Sequence, residues 1–354
     1  MQFPRGTVRG TVKRTPSARR STEQILAHPR FPVARNVFLE AMLAMYEHEP
    51  FLNRLLLEAG RNVLFIVLMC LHARSDEDDR DTWPTLGLVK ASMAAFGLAS
   101  PRRVADLVAR LLKTGYLAQR LSPQDRRVRI LTPTSRMIAQ DQDWLVAHYV
   151  PLQVLFADPG YAPIMRRDRA FHLQYRAVAA SLLPLAARIM KRNPLILRFM
   201  QREAGMMVLI KLLHLAGSRA HVTCEISYSD IGARFGVSRT QVRKVVQEAE
   251  ESGLLQLSRR GAQFVRLKPK LLEAFDDFIA DTMAGHDLVY NLAQRAGGED
   301  RSESMQNVPL MGTAVSFKQG IALHTFNGRT GASRASRRQR RRPVRSATRR
   351  RGDS

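Results

Sequence analysis

Cysteine is nearly missing: Cys70 and Cys224 are the two thiols in 354 residues. That is too few for a disulfide framework and fits a reducing compartment. Long apolar runs are missing too. The longest, Val63 to Leu71, spans nine residues, where a bilayer crossing needs about 20. No basic-then-apolar leader follows Met1, so the expected location is the cytoplasm, with no membrane partner. Nine histidines are scattered, none beside a cysteine at zinc-binding spacing, so no metal is expected. Gly-x-Ser-x-Gly, Gly-x-x-x-x-Gly-Lys and Gly-x-Gly-x-x-Gly are all absent, which points away from an enzyme and from a bound cofactor. The acidic run Asp76-Glu77-Asp78-Asp79-Arg80-Asp81 lacks the glycine and distal glutamate of a calcium loop and reads as a solvated connector. Cys70, set among Leu68, Met69 and Leu71, reads as a core thiol, not a redox sensor.

Negative charge is also scarce. Lysine and arginine total 56 against 31 acidic residues, for a formal charge of +25. Such a surplus favours a polyanionic partner. It is unevenly spread. From 329 onward eleven arginines oppose Asp353, giving +10, and residues 1–35 carry +7. Both ends read as flanking segments, a basic N-terminal arm over 1–35 and an arginine-rich disordered tail over 297–354. An arginine-rich arm adds non-specific phosphate binding. A reading frame error in a GC-rich gene leaves the same composition, and the sequence does not separate the two.

Between these ends the chain repeats itself. Glu58-Ala59-Gly60 matches Glu203-Ala204-Gly205, and Phe96-Gly97 through Pro101-Arg102-Arg103-Val104 matches Phe235-Gly236 through Arg239-Thr240-Gln241-Val242. Gly115-Tyr116-Leu117 then matches Gly253-Leu254-Leu255, and Leu131-Thr132-Pro133 matches Leu267-Lys268-Pro269. Four matches in one order indicate a duplicated module, copy one over 36–158 and copy two over 159–296. Each copy reads as an apolar helix, a polar connector, a short helix and a Phe-Gly turn. A second helix capped by Ser100 or Ser238 follows, then two short strands around a charged turn, then a closing helix. Within the capped helices Val104, Leu107, Val108 and Leu111, or Val242, Val245, Val246 and Ala249, fall on one face. Arg102, Arg103 and Arg110, or Arg239, Thr240, Gln241, Arg243 and Lys244, fall among the other positions. The fold class expected is mainly α with small β-wings (α+β): a tandem winged helix-turn-helix.

Copy one resembles the MarR-type transcriptional regulators. The residues that carry the likeness are Gly115-Tyr116-Leu117, Arg120, Ser122-Pro123-Gln124-Asp125-Arg126-Arg127 and Leu131-Thr132-Pro133. The strand before Leu131 is shorter than the family pattern, and the glycine that follows Leu-Thr is replaced near Ser135. The resemblance implies that Asp125 steadies Arg126 or Arg127 for entry into the minor groove, where a narrow groove concentrates negative potential. It also implies a small aromatic effector. Copy two has only Ser258-Arg259-Arg260-Gly261 at its wing, without an aspartate, which suits phosphate contact.

The resulting expectation is a bacterial, nucleoid-associated regulator, repressor-like, that binds double-stranded DNA through Ser100, Arg102, Arg103, Arg110, Asp125, Arg126, Arg127, Arg239, Thr240, Gln241, Arg243, Lys244, Arg259 and Arg260. One chain would act as a monomeric pseudo-dimer. The alternatives are a plasmid replication initiator with tandem winged helices and a winged-helix scaffold for protein partners. Arginine pairs on hairpins and helix faces are also common as plain solvated surface.

Overall fold

The computed structural model describes residues 20–217, 222–258 and 263–299. It is mostly helical, with two small antiparallel sheets. The first half runs α1 (Thr22–Leu26), α2 (Phe31–Tyr46), α3 (Pro50–Leu56), α4 (Ala59–Arg74), a 3-10 turn (Arg80–Thr82), α5 (Leu86–Ala94), α6 (Pro101–Lys113), β1 (Leu117–Leu121), β2 (Arg129–Pro133) and α7 (Ser135–Leu155). The second half runs α8 (Ala162–Met165), α9 (Arg169–Ser181), α10 (Leu183–Arg192), α11 (Pro194–Met200), α12 (Gly205–Leu215), β3 (Thr223–Ile226), α13 (Tyr228–Phe235), α14 (Arg239–Glu251), β4 (Leu255–Ser258), β5 (Gln263–Leu267) and α15 (Pro269–Glu299).

The basic arm expected over 1–35 needs correction from Arg20 onward. Ser21 and Gln24 form a reciprocal capping box that satisfies the first free amides of α1. Ile25, Phe31 and Ala34 are buried, and α1 packs on α15, so this segment belongs to the core. Residues 1–19 and the tail from 300 lie outside the described residues.

The two copies do not form separate bodies divided near 158. One continuous apolar core draws on both, and the packing is reciprocal. Helix α2 of copy one lies against α12 of copy two, and α9 of copy two lies against α4 of copy one. Pro184, lacking an amide to donate, sits at the α9–α10 junction where copy one has the single helix α2. Backbone bonds across the copies repeat the pattern: His48 N donates to Arg234 O at 2.9 Å, and Ala204 N to Leu57 O at 2.8 Å. Among the described residues no single helix is long and apolar enough to cross a membrane.

Local geometry recurs at matching positions. Gly97 and Gly236 both take positive φ, 67° and 69°. At Gly236 a Cβ would sit 2.8 Å from Pro50 Cβ of the other copy, so both the backbone angle and the close approach call for glycine. Gly115 and Gly253 likewise take φ of 72° and 69° as each capped helix turns into its strand. Thr134 N donates to Tyr116 O and Lys268 N to Leu254 O, both at 3.0 Å. Leu117 pairs with Pro133 where Leu255 pairs with Leu267, so in space Lys268 corresponds to Thr134. The match of Leu131-Thr132-Pro133 with Leu267-Lys268-Pro269 is therefore out of register by two residues.

The sheets differ between copies. In copy two β3 pairs with β5, giving the order β3-β5-β4. In copy one the matching edge is a single bond, Leu131 N to Pro84 O at 2.9 Å. Pro84 has no amide with which to extend that ladder.

Candidate nucleic-acid interface

Helices α6 and α14 start alike. Ser100 Oγ accepts from Arg103 N at 3.3 Å, and Ser238 Oγ accepts from Gln241 N at 3.1 Å. Each hydroxyl satisfies one of the open amides of a first turn. Val104, Leu107, Val108 and Leu111 are buried, as are Val242, Val245, Val246 and Ala249. The opposite faces expose Arg102, Arg103 and Arg110 in α6, and Arg239, Thr240, Arg243 and Lys244 in α14; Gln241 is half-buried.

Both helix starts are tied to the turn that opens the preceding core helix. Arg103 Nη2 donates to Glu58 Oε2 at 2.9 Å, and Glu58 also caps α4 through Gly60 N. At the matching site Gln241 Nε2 donates to Glu203 O at 3.3 Å. Arg61 bridges the two acids, reaching Glu203 at 3.2 Å and Glu58 at 3.6 Å. The repeat thus sets Arg103 and Gln241 partly to positioning, whereas Arg102 has no ion pair or hydrogen-bond partner among the described residues.

The β1–β2 hairpin departs from expectation. Asp125 does not hold the side chain of Arg126 or Arg127. Its Oδ1 accepts from the backbone N of Arg127 at 3.0 Å, and its Oδ2 from Arg80 Nη2 at 2.8 Å. These bonds, the Arg127 amide first and then the Arg80 guanidinium, keep its carboxyl below the ordinary range. Both Arg126 and Arg127 are exposed. Gln124 Nε2 reaches Glu77 O at 3.3 Å, and Arg120 pairs with Glu77 at 3.5 Å. The acidic run 76–81 is therefore exposed, as a solvated connector would be, and is also latched to the hairpin. Arg259 and Arg260 lie outside the described residues.

A buried polar set gave no sign in the sequence. Asp141 on α7 accepts from Arg176 Nε and Nη2 at 2.7 and 2.6 Å, and meets His172 Nε2 at 2.6 Å. Burial would raise the Asp141 carboxyl, but Arg176 and His172 outweigh it and hold it low. Nearby, Tyr149 donates to His286 O at 2.6 Å, and Tyr175 Oη meets His286 Nδ1 at 2.8 Å. Tyr161 donates to Asp287 at 2.7 Å. Cys70 is fully buried, and burial lifts its thiol to about 11, so it stays protonated near neutrality.

No protein-family model matches this chain, and neither a curated protein nor a solved structure does.

Proposed function

We propose that this protein is a DNA-binding transcriptional regulator that works by occupying duplex DNA through two winged helix-turn-helix modules. Helices α6 and α14 would enter successive major grooves, reading bases from their first turns, and the β1–β2 hairpin would lay Arg126 and Arg127 on the backbone or minor groove. The observation that carries the reading is the repeated helix start: a serine cap, a positive-φ glycine turn before it, an apolar inner face, and an exposed basic first turn in both copies. A solvated face alone does not call for a serine cap and a first-turn side chain tied to the same preceding turn in both copies. The net charge of +25 supplies the long-range attraction to phosphate.

Selecting bound sequences from a random duplex pool tests this reading. The expected result is an enriched site about twenty base pairs long, bound far more tightly than random duplex at physiological salt. No retention of duplex at low salt, where phosphate attraction is strongest, would refute it.

A further inference from the structure

The repeated Glu-Ala-Gly turns, at 58–60 and 203–205, meet between the copies. Ala204 N donates to Leu57 O at 2.8 Å, and Arg61 Nη1 donates to Arg54 O at 2.8 Å and to Glu203 Oε1 at 3.2 Å. Each turn also holds the third residue of a serine-capped helix. Arg103 of α6 donates to Glu58 Oε2 at 2.9 Å, and Gln241 of α14 to Glu203 O at 3.3 Å. A continuous chain of contacts therefore runs from α6 to α14 through Arg103, Glu58, Arg61, Glu203 and Gln241. Arg61 is its middle member, and its side chain is the one that crosses from copy one to copy two.

The matched glutamates do unlike work. Glu58 caps α4 by accepting from Gly60 N, whereas α12 starts without a side-chain cap and Glu203 turns to Arg61. Ala204, just before α12, takes φ of 52°, a left-handed angle that crowds Cβ against the carbonyl oxygen. The buried Nε of Arg61 has no hydrogen-bond partner among the described residues and faces Glu58 Oε2 at 3.6 Å. A missing cap, a left-handed alanine and an unmatched N–H each weaken the fold, and all fall at this joint. Strain retained in one place points to a task other than stability. Each copy also braces the other further back, where His48 N donates to Arg234 O at 2.9 Å and Lys191 Nζ to Ala95 O at 3.4 Å. Those contacts hold the turn that precedes each capped helix, whereas Arg61 acts at the helix starts.

We infer that Arg61 is a positioning residue that sets the spacing between the two half-sites on DNA, by fixing the starts of α6 and α14 relative to each other. The inference rests on the regulator reading above. Reading helices in successive major grooves stand about 34–36 Å apart, and each added base pair shifts a half-site by about 3.4 Å and turns it by about 35°. A braced pair of helices fits one spacer length, and a loosened pair fits several at lower peak affinity. Arg61 itself touches no base in this scheme and works through Arg103 and Gln241.

Filter binding of the full chain tests this with duplexes that carry the selected half-sites at the preferred spacer and at one or two base pairs more or fewer. The parent is expected to lose at least about ten-fold in affinity per base pair of change. Arg61→Met keeps the apolar stem and removes the crossing charge. Glu203→Gln leaves the Glu203 carbonyl, and so the tie to Gln241, in place. Each variant is expected to cut the penalty to about three-fold or less per base pair, with the preferred bases inside each half-site unchanged. A variant that had merely lost stability would weaken on every spacer alike and keep the parent's steps. Parental steps in either folded variant, or a parent that selects a single half-site or ignores spacer length, would overturn the inference and leave duplex binding standing. Should Arg61→Met misfold, Glu203→Gln decides alone. Failure of the parent to retain any duplex overturns the regulator reading, and this inference with it.

Discussion

Arg80 and Asp125 meet at 2.8 Å, joining the acidic connector to the hairpin tip across 45 residues of sequence. Because Asp125 is occupied by Arg80, the side chains of Arg126 and Arg127 have no ion-pair partner among the described residues and remain available to phosphate. Replacing both with alanine is expected to weaken binding to selected and random duplex alike. It should also flatten the dependence of log affinity on log salt by about one to two units. Arg80→Ala would leave the Asp125 carboxylate without its ion-pair partner and, on the proposed reading, near the phosphates, so a smaller loss is expected from it. Filter binding across a salt series checks both. An unchanged slope in the double variant would remove the hairpin from the interface.

The first turns of α6 and α14 carry a different expectation. Arg102→Ala is expected to change which base is preferred at one position, by about 1–3 kcal/mol if the lost contact is bidentate to guanine. Arg103→Ala also cuts the tie to Glu58, so affinity is expected to fall across sequences as well as at one base. Repeating the sequence selection with each variant separates the two. If the preferred site is the same for Arg102→Ala as for the parent, α6 is not the reading helix.

Much of this was legible in the sequence because it rests on local rules. Gly97, Gly236, Ser100 and Ser238 are dictated by backbone angle and free amides within a few residues, and the inward valines and leucines by helical period. The rest depends on distant partners. The pairing of Asp125 with Arg126 or Arg127 is what the MarR-type resemblance implies, and nothing local points to Arg80. The four-residue strand Thr223–Ile226 is too short for its alternation to stand out. Asp141, His172 and Arg176 look like ordinary surface residues on helices, and only the meeting of α7 with α9 shows them to be buried. Charge alone groups residues 20–35 with a basic arm, whereas Ile25 on α1 and Phe31 and Ala34 on α2 are buried.

The buried ion set makes a stability prediction. Asp141→Ala leaves the Arg176 charge buried without its carboxylate and is expected to cost about 3–5 kcal/mol. Adding Arg176→Met removes the stranded charge, so the double variant is expected to be more stable than Asp141→Ala alone. Urea unfolding of the three proteins checks this. Equal stability of the two variants would show that Arg176 finds another partner.

Acid stability follows from the neutral histidines. In the unfolded chain a histidine titrates near 6.5, whereas in the fold His148 resists protonation down to about 4. The unfolded state therefore binds more protons as pH falls through this window, and stability drops by about 1.4 kcal/mol per pH unit for each such group. Asp141 has the opposite origin but adds in the same direction. Its depressed carboxyl stabilises the fold above the ordinary carboxylate range, and that contribution is lost as pH falls through its folded value. Unfolding free energy is thus expected to decline from about pH 6.5 and to keep declining below 4. His148→Phe should lessen the slope between these values by about one proton. An unaltered slope would mean that His148 is charged in the fold.

The reciprocal packing sets the last expectation. A homodimeric regulator presents two reading helices related by symmetry, and its operator is palindromic for that reason. Here α2 lies against α12, α9 against α4 and α1 against α15 within one chain, and on the proposed reading these contacts stand in for those between two chains. The helices they carry are not equal. One presents Arg102 and Arg103, and the other Arg239, Thr240 and Gln241. Arginine favours guanine and glutamine favours adenine, so the half-sites need not match. A monomer in sedimentation, and a footprint of about two helical turns with unlike halves, are the expected outcomes. Copy one, with its Asp125–Arg127 hairpin, is expected to contribute the larger share of affinity. A dimer on a symmetric, longer footprint would instead require a second surface outside the shared core. That result would dismiss the pseudo-dimer while leaving untouched the proposal that α6 and α14 read DNA.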